Sequence, residues 1–357
     1  MDNMDNIENM YRVSPRQLAE CIREDFFAGV VPYVEGSPGI GKSSIFAQVA
    51  KELNLEMIDH RLSTSAPEDL SGLPRFNEDG TAAFAPFADL FPLDTTPLPE
   101  GKDGWCLFLD EFNSAPKSVQ AAAYKLVLDR RTGQRKLNER VVIGGAGNLS
   151  TDRAITTPIG TAMQSRLSHY TLDIVGHEKE WMEDIALKFD WDARIIAYLS
   201  RYPSKLMDFR PEHNEKTFCC PRTWEFVNKF LKAAEPSKKA IDPRRAHKYT
   251  GKITSGVAVD FIQFTRCFEN LIKVSDIEAD PEGCTIPSDP AAQWANIAHM
   301  CEMVNEKNFG ALCRYANRFS LDFRVLFFRS AMHRKPQLRG HNAFAQAMIE
   351  LNRYLNP

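Results

Sequence analysis

Residues 33–44 read YVEGSPGIGKSS, a stretch that sets glycines and a proline ahead of one lysine and two hydroxyls. Few Cβ atoms leave the backbone free to curl its N–H groups around an anion, and a helix starting just beyond adds its positive end. The spacing G-x-x-x-x-G-K-[ST] is filled by Gly36, Gly41, Lys42 and Ser43, and each residue type has a duty in a phosphate-binding loop. The two glycines permit turns that a side chain would block. Lys42 is suited to reach the β- and γ-phosphates as a compact charge, and the Ser43 hydroxyl is a hard oxygen donor for Mg²⁺. Ser37, Pro38, Gly39, Ile40 and Ser44 complete the expected cradle. VVPYVE before the loop reads as a strand and SSIFAQVAKEL after it as a helix, the context the motif requires and a plain surface turn does not.

A cradle alone does not hydrolyse anything; metal and water need acidic groups. LFLDEF, residues 107–112, supplies them at the end of an apolar strand. Asp110 is placed to hold Mg²⁺ through a water, and Glu111 to orient or deprotonate the attacking water. GGAGN, residues 144–148, ends the next strand with Asn148. Its amide suits a bridge between water and γ-phosphate, although asparagine after a strand is also a common turn residue.

With 357 residues, 43% hydrophobic and 25% charged, the chain has an ordinary globular composition that excludes fibrous and disordered classes. A net charge of -3 gives no global reason to expect nucleic acid or a membrane surface as partner. The first residues, MDNMDNIENMYRVS, carry no basic and apolar leader, and no apolar run is long enough to span a bilayer. Eight cysteines with no C-x-x-C pair point away from zinc and towards free thiols in a reducing cytoplasm, so a cytoplasmic location is expected. The adjacent pair Cys219 and Cys220 reads as structural.

Ser14 and Pro15 open a first helix. Strands and helices then alternate, LEMIDHRL, GWCLFLDEF, RVVIGGAGN and HYTLDI adding four strands to the first, which predicts a parallel five-stranded sheet in an α/β fold. Two hairpins are expected as insertions: one around NEDG, residues 77–80, and one in RRTGQRKLNERVV, residues 130–142. From about His177 onward the pattern is helical. The aromatic run RYANRFSLDFRVLFF, residues 314–328, reads as core, and the basic run RSAMHRKPQLRGH, residues 329–341, as a solvated face, the alternative being a surface for nucleic acid or an acidic protein.

The loop Gly36–Ser43, LFLDEFNSAP, GGAGN, TAMQSRLSHYTLDI and CCPRTWEFVNKFL stand in the order and spacing of AAA+ ATPases. Over residues 10–265 the chain most resembles the MoxR-like, dynein-related branch. The resemblance implies sheet order 5-1-4-3-2, an AAA+ domain over 1–175, a helical lid over 176–265 and a C-terminal helical extension over 266–357. It also implies ATP and Mg²⁺ as cofactors and a homo-oligomeric ring, usually a hexamer. Arg166 is assigned by it as an arginine finger for the neighbouring subunit, and Arg222 as a lid arginine acting in cis or in trans. Arg130, Arg131 and Arg153 are further interface candidates. The implied output is ATP-driven remodelling of a protein partner, of the kind that carries a von Willebrand factor A domain. The alternatives are a nucleic-acid motor or loader, for which Arg75, Arg135 and Lys136 in the hairpins give weak support, and a nucleotide-gated scaffold.

Overall fold

Ser14 opens the first long helix through a reciprocal cap: its Oγ accepts from the Gln17 N–H at 3.3 Å, and Gln17 Oε1 accepts from the Ser14 N–H at 2.9 Å. The computed structural model describes residues 11–87, 90–152 and 156–355, in two units, Met1–Ile174 and Val175–Pro357. In the first unit a two-residue strand, β1 (Arg12–Val13), precedes that helix, α1 (Pro15–Ala28), which buries Leu18, Ile22 and Phe26. Strand β2 (Val31–Glu35) leads through the glycine-rich loop into α2 (Lys42–Glu52), followed by β3 (Leu55–Arg61). The first insertion is a short helix, α3 (Pro67–Ser71), and an antiparallel hairpin, β4 (Leu73–Phe76) with β5 (Ala82–Ala85). Strand β6 (Gly104–Asp110) and helix α4 (Lys117–Leu128) precede the second hairpin, β7 (Arg131–Thr132) with β8 (Arg135–Lys136). Strand β9 (Val141–Gly147), a single helical turn, α5 (Thr161–Gln164), and β10 (Leu167–Leu172) complete the unit.

The main sheet is parallel throughout, in the order β1-β10-β2-β9-β6-β3. It has six strands where five were expected. The additional one, β1, pairs Arg12 with Thr171 and Val13 with Leu172, and Arg12 is ion-paired to Asp173 at 2.5 Å. Two residues cannot display an alternation, so only the finished edge of β10 reveals this strand. Pro32 lacks an N–H, and the ladder from β2 to β9 begins only at Tyr33, opposite Gly145. Strand β6 is buried on both faces from Gly104 to Leu109, as a central parallel strand must be.

The second unit is helical: α6 (Glu178–Trp181), α7 (Ala193–Arg201), α8 (Pro221–Ala234), α9 (Ser255–Phe264), α10 (Val274–Ala279), α11 (Pro290–Met303), α12 (Phe309–Ala316), α13 (Leu321–Arg334) and α14 (Asn342–Leu355). The sequence predicts one α-helix over EKEWMEDIALKF; instead α6 widens into a π-type stretch at Met182–Leu187. One core cluster draws only on residues 274–351, with Phe309, Tyr315, Phe327 and Phe328 fully buried. The basic run is a solvated face only in part: His333, Lys335 and Arg339 are exposed, while two of its arginines are held by carboxylates. Arg329 is paired with Glu183 and Arg334 with Asp190. All eight cysteines are free thiols, and Cys219 and Cys220 are buried. No helix among the described residues is long and apolar enough to cross a membrane.

Candidate active site

Strand β2 lies inside the sheet between β10 and β9, and the loop it delivers therefore opens at the carboxyl ends of the strands, where ligands of open α/β sheets bind. Gly39 and Gly41 have φ of 74° and 113°, left-handed values that a side chain would resist. Gly41 precedes α2 without a side-chain cap, which leaves the first N–H groups of the helix facing the loop. Lys42 folds back over the cradle. Its Nζ donates to the carbonyls of Gly36 at 2.6 Å and Ser37 at 3.2 Å, and to Asn148 Oδ1 at 3.4 Å. Pro38 and Ser43 are half-buried, Gly39 and Ile40 buried and Ser44 exposed.

The acidic pair arrives on β6, two places across the sheet from β2. Asp110 ends the strand and accepts from the Glu111 N–H at 2.8 Å. Burial raises the Asp110 carboxyl above its ordinary value, against the opposing pull of that N–H and of Lys42. Glu111 adopts φ 54° and ψ 36°, a left-handed conformation costing a non-glycine residue about 1–3 kcal/mol. Its carboxylate accepts a hydrogen bond from the Ser63 hydroxyl, just beyond β3.

Between them, β9 brings Asn148. Three parallel strand ends thus converge, and the cradle, Lys42, Asp110 and Asn148 form one constellation, with Glu111 beside Asp110. Three further polar residues belong to it and were not foreseen. Asn113 donates to the Asn148 carbonyl at 2.7 Å and to Glu35 Oε1 at 3.3 Å, and accepts from the Asn148 N–H at 3.0 Å. Glu35, the last residue of β2, also accepts from the Tyr33 hydroxyl at 3.4 Å, and burial raises its carboxyl. Ser63 is the third. The available signal for Glu35 and Asn113 was a polar residue beside a motif in an otherwise apolar stretch; Ser63 has no local signal at all.

Of the arginines assigned by resemblance, Arg166 stands apart from this constellation within the first unit. The register sets Leu167 opposite Val31 and Thr171 opposite Glu35. Arg166, one residue before Leu167, therefore sits at the amino end of the sheet, about 16 Å along the strands from Glu35. It is exposed, and donates to the Ala162 carbonyl at 2.6 Å. Arg222 is exposed on the first turn of α8 in the second unit. Arg130 turns inward, donating to the carbonyls of Val141 at 2.5 Å and Asn138 at 3.3 Å, while Arg131 donates to the Gln134 carbonyl. Arg153 lies outside the described residues.

The donor set fits a nucleotide with a weakly coordinated divalent cation. Left-handed glycines open the cradle, Lys42 supplies one fixed positive charge, and the half-buried Asp110 carboxyl gains from a cation beside it. Among the described residues there is no group of three or more His, Cys, Asp or Glu side chains placed to hold a metal alone. Mg²⁺ is compatible with this, because it keeps several waters and takes few protein ligands.

No family model matches the chain, and no curated protein matches it significantly. Among solved structures it is similar to NtrX from Brucella abortus in complex with ADP, at 13% identity and a TM-score of 0.36 over 95% of this chain and 68% of that one. It is also similar to a mutant of Thermotoga maritima RuvB, at 16% identity and a TM-score of 0.38 over 82% and 84% of the two chains. Likeness at this distance leaves the function to be argued from the geometry of the cradle itself.

Proposed function

We propose that this chain is a Mg²⁺-dependent ATPase of the AAA+ kind, of the MoxR-like branch, cleaving ATP to ADP and phosphate in a homo-oligomeric ring. The observation that carries the reading is the Lys42 ammonium held on the loop carbonyls of Gly36 and Ser37 within reach of Asn148. The backbone N–H groups of the loop from Gly36 to Ser44, Pro38 excepted, and the Lys42 ammonium bind the phosphates. Ser43 and, through water, Asp110 hold the Mg²⁺, which when bound neutralises charge on the phosphate oxygens. Glu111 takes the proton of the attacking water, and Asn148 orients that water. Arg166, far along the strands from its own cradle, serves a neighbour's nucleotide, which makes the site one shared between two protomers in a hexamer. The lid over 176–265, which carries Arg222, and the extension over 266–357 complete the subunit.

Two outputs are compatible with this engine. Remodelling of a protein partner bearing a von Willebrand factor A domain is carried by the resemblance alone. A nucleic-acid motor or loader has one specific observation in its favour: hairpin β4–β5 presents Phe76 at 81% and Phe84 at 49% exposure, with an exposed Arg75 on the same hairpin. The register sets Phe84 opposite Pro74 and Arg75 opposite Ala83, so the two rings share one face of the hairpin and Arg75 stands on the other; a pair of exposed rings suits base stacking along a single strand.

Glu111→Gln should retain ATP while turnover falls by about 10²–10⁴-fold, the range for a lost general base. Mixing it with Arg166→Ala should restore part of the activity, because the two defects lie on different faces of one interface. Normal turnover by Glu111→Gln, measured as phosphate release, removes the assignment, and failure of the mixture to recover removes the shared site. The wild-type assay with single-stranded DNA at fixed salt decides the output: stimulation favours the motor, indifference the protein partner.

A further inference from the structure

Asn148 is the first residue beyond a strand that has run out of neighbours. The ladder from β9 to β6 ends at Gly145 and that to β2 at Gly147. Its peptide groups on both sides would be free to rotate, and its side chain with them. Asn113, 5% exposed in the turn after Glu111, takes the place of the missing strand. Oδ1 accepts from the Asn148 N–H at 3.0 Å and Nδ2 donates to the Asn148 carbonyl at 2.7 Å, the same donor and acceptor pair that a hydrogen-bonded residue offers across an antiparallel ladder. The second Nδ2 hydrogen goes to Glu35 Oε1 at 3.3 Å. These partners allow one amide orientation, since the reverse would set Oδ1 against a carbonyl and a carboxylate.

Gly147 supplies an independent sign that the space is reserved. A Cβ at that position would lie 2.6 Å from Asn113 Oδ1 and 2.1 Å from the Tyr33 hydroxyl, and both belong to the Glu35 cluster. The last glycine of GGAGN is needed there because the amide comes so close.

We propose that Asn113 is a positioning residue for ATP hydrolysis: by gripping the main chain of Asn148 on both sides it aims that residue's amide at Lys42 and the γ-phosphate, and Glu35 holds Asn113 in place. The inference rests on the ATPase reading above. Its role is exerted through Asn148, so its effects must disappear when the Asn148 side chain is absent. Misplacement by about 1 Å far from the bond being broken is enough for a loss near 10²-fold.

Asn113→Asp keeps the size and replaces the donor by an oxygen that faces the Asn148 carbonyl and Glu35. The expected result is a fall in kcat of about 10- to 100-fold, with ATP affinity, read by a fluorescent nucleotide, unchanged. In an Asn148→Ala background the same substitution should leave kcat where Asn148→Ala alone puts it. A full additional loss in that background, or an unchanged kcat in the single variant, overturns the proposal. Asn113→Ala, which introduces no charge, decides the matter in the same two backgrounds if the aspartate variant does not fold. A wild-type chain that binds no nucleotide removes the ATPase reading and this inference together, whereas one that turns ATP over while Asn113→Asp keeps its kcat removes the inference alone. For a wild type that binds without turnover, the preference for ATP over ADP in thermal stabilisation replaces kcat, and it must shrink in Asn113→Asp.

Discussion

Arg194 and Asp192 lie as deep in the second unit as Tyr33 and Asn113 lie in the first, at 0%, 3%, 1% and 5% exposure. The two clusters handle their buried polarity in opposite ways. Arg194 donates from Nε and NH2 to the two oxygens of Asp192, both at 2.8 Å, and from NH1 and NH2 to the carbonyls of Lys239 at 2.9 Å and Glu235 at 2.8 Å. Asp192 also caps α7 through the Arg194 N–H. The cluster is closed and structural. In the cradle, the carboxyls of Glu35 and Asp110 are raised by burial and Lys42 is held by neutral carbonyls. Polarity there is gathered around the glycine-rich loop, with the Lys42 charge acting on both carboxyls, which suits a site for a charged ligand.

The largest effect should come from breaking the closed cluster. Arg194→Ala leaves a buried carboxylate and two carbonyls short of their donors, and should destabilise the protein by about 3–5 kcal/mol in chemical denaturation. Adding Asp192→Asn, which preserves the helix cap and removes the stranded charge, should recover a large part of the loss. A loss of less than about 1 kcal/mol for Arg194→Ala would place this pair with surface ion pairs and dissolve the contrast.

The same contrast explains what the sequence could display. The cradle from Gly36 to Ser44 is read from spacing because its geometry is made by neighbours along the chain, and Asp110 and Glu111 are read because they end an apolar run. Asn113 hides within a quoted motif because the partners that give it meaning lie 35 and 78 residues away. Arg166 is visible in the sequence but cannot be placed from it, since its distance from the cradle follows from the register of β10 on β2. The basic run is legible only in part, for a related reason. Arg329 and Arg334 meet Glu183 and Asp190 only after α13 is packed, and charge patterning along one helix cannot disclose the carboxylates of another. The π-type stretch at Met182–Leu187 has the composition of an ordinary helix.

A smaller effect, opposite in sign, is expected on the open side. The Glu35 carboxyl is raised chiefly by burial, with His169, the Tyr33 hydroxyl and Lys42 pulling the other way. The folded chain therefore holds that proton more tightly than the unfolded chain does. Stability is lost as pH rises from the ordinary carboxylate value through the raised one, and the loss is complete above it. Glu35→Gln keeps an oxygen to accept from Asn113 and Tyr33 but cannot ionise. Without nucleotide it should melt higher than wild type at neutral pH, and the gap should close as pH is lowered towards the ordinary carboxylate range. A variant that melts lower at neutral pH would show that the ionised carboxylate is already compensated in the cradle.

The smallest effect belongs to a pair that is neither closed nor gathered. Arg334 reaches Asp190, whose side chain is 67% exposed. Asp190 has φ of 50°, a left-handed value that asparagine tolerates as well as aspartate does. Asp190→Asn therefore removes the charge without adding backbone strain, so the measured change reports the ion pair itself. With one partner in water, the pair should contribute about 0.2–1 kcal/mol to stability. That difference should fade when unfolding is repeated in high salt, because exposed charges are screened and the Arg194–Asp192 pair is not. A salt-independent cost as large as that of Arg194→Ala would mean that exposure does not separate the two pairs, and the distinction between closed and open polarity would have to be drawn from geometry alone.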